Sequence, residues 1–401
     1  MESYLLEWLQ LVFRWLHLIT GIAWIGASFY FVWLDNSLKE PPQWKKDKGI
    51  KGDLWSIHGG GIYEVAKYEL APEKMPETLH WFKWEAYTTW LTGMVLLIVI
   101  FYLGADSYLI DKRVADLTQA QAIGLGLGFL VSGWVIYEVL CSTPLAKNGY
   151  AIGGVLIGIA VVYAYALTHL FSGRGAYIHM GAVIGTIMVG NVFRVIMPSQ
   201  RALVAAIEKG EPPDPAWGAK AKLHSTHNNY LTLPLLFIMI SNHYPMTYSH
   251  EHSWLVLLAI IAITAFARHY FNLQHKGIKR PIILVVAAIA AATLAYAISP
   301  KPVVSERAST AKFETSEISN VKNILTQRCA TCHSAVPSDD VFTTAPLGMM
   351  LDTIDEMQQW APLIKTRSVD TQNMPFMNKT QMTDEERAIV AAWIAAGAPK
   401  E

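Results

Sequence analysis

An all-α fold in two parts is what this 401-residue sequence predicts. The first part is a polytopic bundle of about eight transmembrane helices, and the second is a small all-α soluble domain. Three observations predict it. Hydrophobic residues make up 52% of the chain and gather into runs of about 20 with few charges, enough to cross a hydrocarbon core of about 30 Å as helices. After residue 298 the composition turns to "SPKPVVSERASTAKFETSEISN", rich in Ser, Pro and charge as linkers are. Beyond it the pattern is that of short, capped, soluble helices.

The apolar runs lie at residues 5–34, 85–104, 118–140, 150–171, 175–197, 229–243, 253–271 and 281–298. The sixth is the shortest and holds Pro234, a residue that interrupts helix hydrogen bonding. Residues 1–298 thus form the membrane part, 299–316 the linker and 317–401 the soluble domain. The last soluble helix starts at Thr383 with Glu386 three residues on, a capping box, and stops at Gly397. Two long loops, 35–84 and 198–228, interrupt the membrane part; the first carries Trp44, Trp55, Tyr63, His80 and Trp81, too aromatic for a disordered tail. Its "HGGG" at His58–Gly61 resembles oxyanion-hole glycines, but no GxSxG nucleophile elbow accompanies it, so it reads as a flexible turn. Gly124, Gly126 and Gly128 in the third run suggest close helix packing.

Formal net charge is zero and no basic block appears, which argues against a nucleic-acid partner. The cations are unevenly placed instead. One alternating set of loops holds Lys39, Lys45, Lys67, Lys147, Arg201, Lys220, Lys279 and more, whereas the other holds Lys112, Arg113 and Arg174. By the positive-inside rule the Lys-rich loops are cytoplasmic, both termini are external, and the soluble domain lies on the periplasmic side of a bacterial inner membrane. The start, "MESYLLEW", is acidic where a signal peptide is basic, so the first run is expected to remain as a helix.

Within the soluble domain, "CATCH" sets Cys329, Cys332 and His333 at the spacing that attaches a c-type haem. Two thiols form thioethers with the vinyl groups, and the adjacent histidine becomes the proximal iron ligand. A zinc site needs a further Cys or His pair, and the one other cysteine, Cys141, is in the membrane part. "NMPFM" offers Met374 as the sixth ligand, with Met377 as the alternative. A His/Met pair raises the reduction potential, so the domain, a class I-like cytochrome c, reads as an electron exit.

Ionisable residues inside the membrane part are costly and are therefore functional candidates. His17 lies near the middle of the first run, with Gly21 one turn on; His169 and His179 lie near the external face. Neutral imidazole is the usual axial ligand in a helical bundle, so a haem b held by His17, His169 or His179 is a further expectation. The opposite face gathers His80, Glu85, Arg194, His224, His227, Asn228, Asn229, Arg268 and His269, with His275 just beyond. Planar cations, amides and imidazoles suit a planar, anionic, hydrogen-bonding substrate and supply bases for proton removal.

Three stretches, "FRWLHLITGIAWIGASFYFVWLD", "LWSIHGGGIYEVAKYELAPEKMPETLHWFKWEAYTTWLTG" and "LHSTHNNYLTLPLLFIMISNHYP", resemble the bacterial membrane-bound urate hydroxylases. In that family an eight-helix urate oxidase membrane domain precedes a C-terminal cytochrome c domain, and the likeness runs over essentially the whole chain. "WLHLITGIAWIG" also faintly resembles histidine-bearing helices of the membrane protoporphyrinogen oxidases. The first resemblance implies oxidation of urate to 5-hydroxyisourate, with electrons passed to cytochrome c and on to a soluble or membrane respiratory acceptor. A rival of another class is a membrane quinol-oxidising cytochrome with no purine site, in which Glu138 or His179 faces the quinone.

Overall fold

The computed structural model describes residues 2–274, 277–299, 314–339, 342 and 344–400. Most of the expected linker, and His275, lie outside them. Among the described residues six helices are long and apolar enough to cross a membrane: Tyr4–Ser37, Trp84–Tyr102, Gln119–Ser142, Gly149–Leu170, Gly173–Glu208 and Ser253–Gln274. The chain divides into two compact units, Met1–Asn242 with Trp254–Ala292 and His243–Ser253 with Thr293–Glu401.

In the first unit α1 is Glu2–Ser37, α2 is Trp84–Tyr102, α3 is Gln119–Ser142 and α4 is Gly149–Leu170. They are followed by α5 (Gly173–Glu208), α6 (Pro215–Ser241), α7 (Ser253–Gln274), whose first residue falls in the second unit, and α8 (Ile282–Ala297), which belongs to the first unit as far as Ala292. Local chemistry sets the starts. Thr118 and Gln121 form a reciprocal capping box before α3, and the Asn148 side chain accepts the Tyr150 and Ala151 amides at the head of α4. Asp214 caps α6 and Pro215 occupies its first turn, where a missing N–H costs nothing.

Helix α6 departs from the expectation. It begins 14 residues before the apolar run at 229, so "LHSTHNNY" is helical rather than loop, and Pro234 sits inside it. Apolarity marks only the part of a helix that needs lipid-like surroundings; the polar first half is invisible to that signal. Helix α5 likewise runs on past 197 to Glu208. It is the central helix, packed against α2, α3, α4 and α6, with Tyr177, Met180, Ile184 and Met188 buried. Gly126 of α3 makes one close approach: an added Cβ would stand 2.6 Å from His179 Nε2. Gly124 and Gly128 face open space, so close packing belongs to Gly126 alone of the three.

Among the described residues three regions wind as π-helix: Leu97–Tyr102 in α2 and Asn191–Ile196 in α5 of the first unit, and Lys365–Asp370 in the second. Such segments are rare and frequently mark functional positions.

The first long loop corrects the all-α expectation. Ile50–His58 (β1) and Gly61–Tyr68 (β2) pair antiparallel, with His58 opposite Gly61, and the expected flexible turn is the tip of this hairpin. Gly59 and Gly60 both have positive φ, 57° and 81°, which the tight two-residue turn demands. Lys45 is buried beneath the hairpin on Asp53 and Glu64, and Lys67 pairs with Asp35 of α1 at 2.6 Å.

In the second unit α9 (Thr315–Arg328) and α10 (Asp384–Ala395) pack through Val321, Leu325, Val390 and Trp393, joined by Met357. Thr383 and Glu386 form the expected capping box, and Arg328 Nη2 reaches Glu386 Oε1 at 2.9 Å, tying the two helices.

Candidate functional site

A cleft of 1260 Å³ opens at the end of the first unit that carries the Lys-rich loops. Several stretches of sequence build it, the hairpin, α5 and α7 among them. The C-terminal part of α1 contributes Trp24, Ser28, Phe31 and Asp35; the segment before α2 contributes His80, Trp81 and Phe82; α6 contributes Asn228, Asn229 and Tyr230. Behind it Ala86, Val189, Val192 and Met197 form a buried apolar cluster against which Trp24 and Trp81 pack, and Val192, Trp24 and Trp81 also line the cleft. The mixture of aromatic wall and polar end suits a flat ligand with polar edges.

Of the residues expected from sequence, His80, Glu85, Asn228, Asn229 and His269 line this one space. His80 Nε2 stands 3.8 Å from Glu85 Oε1. Arg268 is 4% exposed; its Nε donates to Asn229 Oδ1, and its guanidinium lies over the Phe29 ring at 4.3 Å. Three others stand elsewhere. Arg194 is exposed on the π segment of α5, His224 is buried with its Nδ1 donating to Lys220 O at 3.0 Å, and His227 faces a separate groove.

Three buried polar atoms here have no partner among the described residues: Glu85 Oε2 and Asn272 Nδ2, on residues that line the cleft, and Arg268 Nη2, on a residue outside the lining that bonds the cleft's Asn229. An unpaired buried polar group costs about 1–3 kcal/mol, so a ligand carrying matched donors and acceptors recovers that energy. Asn272 escaped the sequence reading, although it lies one turn beyond Arg268 on the same helix face, and that spacing is the signal that finds it.

Asn191 and Tyr137 escaped it too, and they connect two residues that it named, Asn228 and His227. Asn228 Nδ2 donates to the Met188 carbonyl at 2.9 Å, which turns its Oδ1 toward Asn191. Asn191 Nδ2 donates to that oxygen at 2.8 Å and to Tyr137 Oη at 3.0 Å, and the Tyr137 hydroxyl reaches His227 Nδ1 at 2.7 Å. The π segment starts at Asn191, where the extra backbone residue sets this side chain inward.

The histidines proposed for a haem b have distinct surroundings. His17 Nδ1 contacts Thr89 O and Thr92 Oγ1, each at 3.0 Å, leaving Nε2 open. His169 is exposed and stacked on Tyr165 at 3.9 Å, its Nδ1 donating to Tyr165 O. His179 is fully buried between the Gly175 carbonyl, Tyr102 and Gly126, a packing too tight for a macrocycle beside Nε2.

In the second unit Cys329 is buried and Cys332 half-buried, and neither is in a disulfide. Burial among apolar neighbours pushes the Cys329 thiol up to about 12 and raises that of Cys332, so both are protonated at neutral pH. Burial also lowers the His333 pKa, against the hydrogen bond that its Nδ1–H donates to Met349 O at 3.1 Å. That bond leaves Nε2 as the lone-pair nitrogen, with no partner among the described residues, as an axial ligand requires. The Met374 backbone is pinned by Met374 N to Arg367 O at 3.0 Å and by Arg387 Nη1 to Met374 O at 2.8 Å, with a cis peptide to Pro375. These donors fit a covalently attached haem with His/Met ligation. The side chain of Met377 lies outside the described residues.

Nothing among curated proteins or solved structures matches the chain. The family model described as Urate oxidase N-terminal matches residues 3–299, which takes in every residue of the cleft. With most of its length covered by that model, the chain belongs to the urate oxidase N-terminal family, which makes it a urate-related oxidoreductase.

Proposed function

We propose that the cleft binds urate and oxidises it to 5-hydroxyisourate, and that the electrons leave through a haem c on the C-terminal domain to a respiratory acceptor. The observation that carries the cleft assignment is the trio of unpartnered polar atoms, Glu85 Oε2, Arg268 Nη2 and Asn272 Nδ2. Urate is a planar anion at neutral pH. Its oxygens suit the guanidinium and amide N–H groups, its ring N–H groups suit the carboxylate, and its faces suit Trp81 and Phe31.

Urate and one water become 5-hydroxyisourate, two protons and two electrons. Glu85, with His80 beside it, is placed to take a proton from the bound purine, and His269 is the other base on the cleft wall. His224 and His227 are displaced from that role by their positions. Arg268, steadied by Asn229 and Phe29, holds the anion while charge redistributes.

Cys329 and Cys332 would hold the haem covalently, with His333 and Met374 as axial ligands; when bound, it accepts one electron at a time at a raised potential. Two transfers complete each turnover. In the same reading the eight helices span a bacterial inner membrane with the Lys-rich loops cytoplasmic and the haem domain periplasmic. Of the three intramembrane histidines, His17 and His169 retain a free Nε2 for a haem b, and acid extraction of non-covalent haem tests that relay. The whole reading is tested by adding urate anaerobically to the oxidised protein. Reduction of the haem c band is expected, and reduction by quinol alone, with urate inert, would refute it.

A further inference from the structure

A second space in the first unit, 640 Å³, is a groove between α3, α4, α5 and α6, touched by Ile261 and His269 of α7. Its walls are almost wholly apolar, among them Ile136, Ile152, Leu156 and Ile184. Neighbouring side chains on the outer face of α4, such as Ile157 and Val162, are 67% and 64% exposed, so on the membrane reading this side meets lipid. Polar groups gather at one end, where Tyr137 meets His227 and Tyr230 meets His269 at 2.6 Å. Thr226, Tyr230 and His269 line this groove and the substrate cleft alike.

The Met188 carbonyl can only accept, so the Asn228 and Asn191 amides are oriented in turn and Asn191 Nδ2 donates to Tyr137 Oη. Tyr137 then shares a hydrogen bond with His227 Nδ1, and Tyr230 with His269 Nδ1, which leaves the Nε2 of each imidazole without a partner among the described residues. As Nε2–H each can donate to a carbonyl.

We infer that this groove binds a benzoquinone-type lipid carrier, its head carbonyls between the Tyr137–His227 and Tyr230–His269 pairs and its apolar tail along α4. An acyl chain would satisfy the apolar walls but not the donors. The inference rests on the proposed urate chemistry for its redox partner. Urate plus water yields two electrons and two protons; as an exit alternative to the haem c, a quinone in the groove takes both pairs, forming an O–H bond at each carbonyl oxygen, and leaves as quinol. A two-electron acceptor thus meets a two-electron donor across the wall formed by Tyr230 and His269.

The test uses the full-length protein in nanodiscs with an azido-benzoquinone bearing a decyl tail, photolysed without urate and mapped by mass spectrometry. Labelling is expected in α3, α4 and α6 peptides. Gly153 lines the groove with nothing within 4 Å of an added Cβ, so Gly153→Phe fills the groove without disturbing the backbone and should cut labelling about tenfold or more. Ile157→Phe, on the lipid-facing side, should not. His227→Phe should weaken competition by unlabelled decyl-quinone roughly threefold to tenfold. Label spread evenly over the lipid-facing surface, or indifferent to Gly153→Phe, overturns the groove. Urate is added afterwards: groove labelling with neither quinone nor haem c reduced by urate refutes the urate reading alone, urate-driven haem reduction with no groove labelling refutes the groove alone, and groove labelling with haem c but not quinone reduced refutes the quinone as acceptor.

Discussion

Replacing Arg268 tests the substrate assignment most directly. Arg268 is 4% exposed, its Nε donates to Asn229 of the cleft lining, and its Nη2 is an unpartnered donor. A hydrogen bond to a charged group contributes about 1.5–3 kcal/mol, so losing one such bond to bound urate lowers kcat/KM roughly 10- to 150-fold. Arg268→Lys keeps the charge but not the planar fork, and most of that loss should persist. Arg268→Met should lose more, because Asn229 then has no cation to face. The stacking on Phe29 adds about 0.5–2 kcal/mol to folding, so both variants should melt earlier, and activity must be referred to the folded fraction. Steady-state kinetics, following loss of urate absorbance with an artificial acceptor, give kcat and KM separately. Wild-type kcat/KM in a folded Arg268→Lys protein refutes the role assigned to this residue.

Other outcomes follow from the same geometry. Glu85→Gln removes the half-buried carboxylate beside His80 and should lower kcat by about 10²–10⁴ with KM little moved; unchanged kcat excludes Glu85 as the base. Gly126→Ala drives a methyl into His179 and should cost about 1–3 kcal/mol, whereas Gly128→Ala meets open space and should raise stability by up to about 1 kcal/mol; equal melting temperatures contradict the packing. Cys329→Ala should abolish covalent haem on a denaturing gel, and Met374→Ala should keep the haem but lower its potential; haem retained without either cysteine contradicts the attachment. Burial disfavours the Glu386 carboxylate, but the Arg328 and Thr383 hydrogen bonds outweigh it, and the net pKa is lowered. That stabilisation is present above about pH 4.3 and is lost as pH falls through the folded value, so hydrogen exchange in α9 and α10 should rise there, and less steeply in Glu386→Gln.

The CxxCH motif was legible because its residues are contiguous in the chain: Cys329, Cys332 and His333 need no tertiary structure to be recognised. Capping at Thr383 and most apolar spans were legible for the same reason, since their causes are local. The π segment that turns Asn191 inward, by contrast, leaves no mark in composition. The hairpin could have been found, because two alternating strands flank Gly59-Gly60, but aromatic content drew attention from the alternation.

By itself the sequence determined which residue types lie at the Lys-rich end of the helices, because hydrophobic length and charge bias act along the chain. It could not decide which of them share a space. His227 and Asn228 are neighbours in sequence, yet successive residues on a helix point about 100° apart, so one faces an apolar groove and the other the polar cleft. His80 and His269, far apart in the chain, meet in one cleft. Helix rotation and packing around α5 made that assignment, and no one-dimensional pattern contains it.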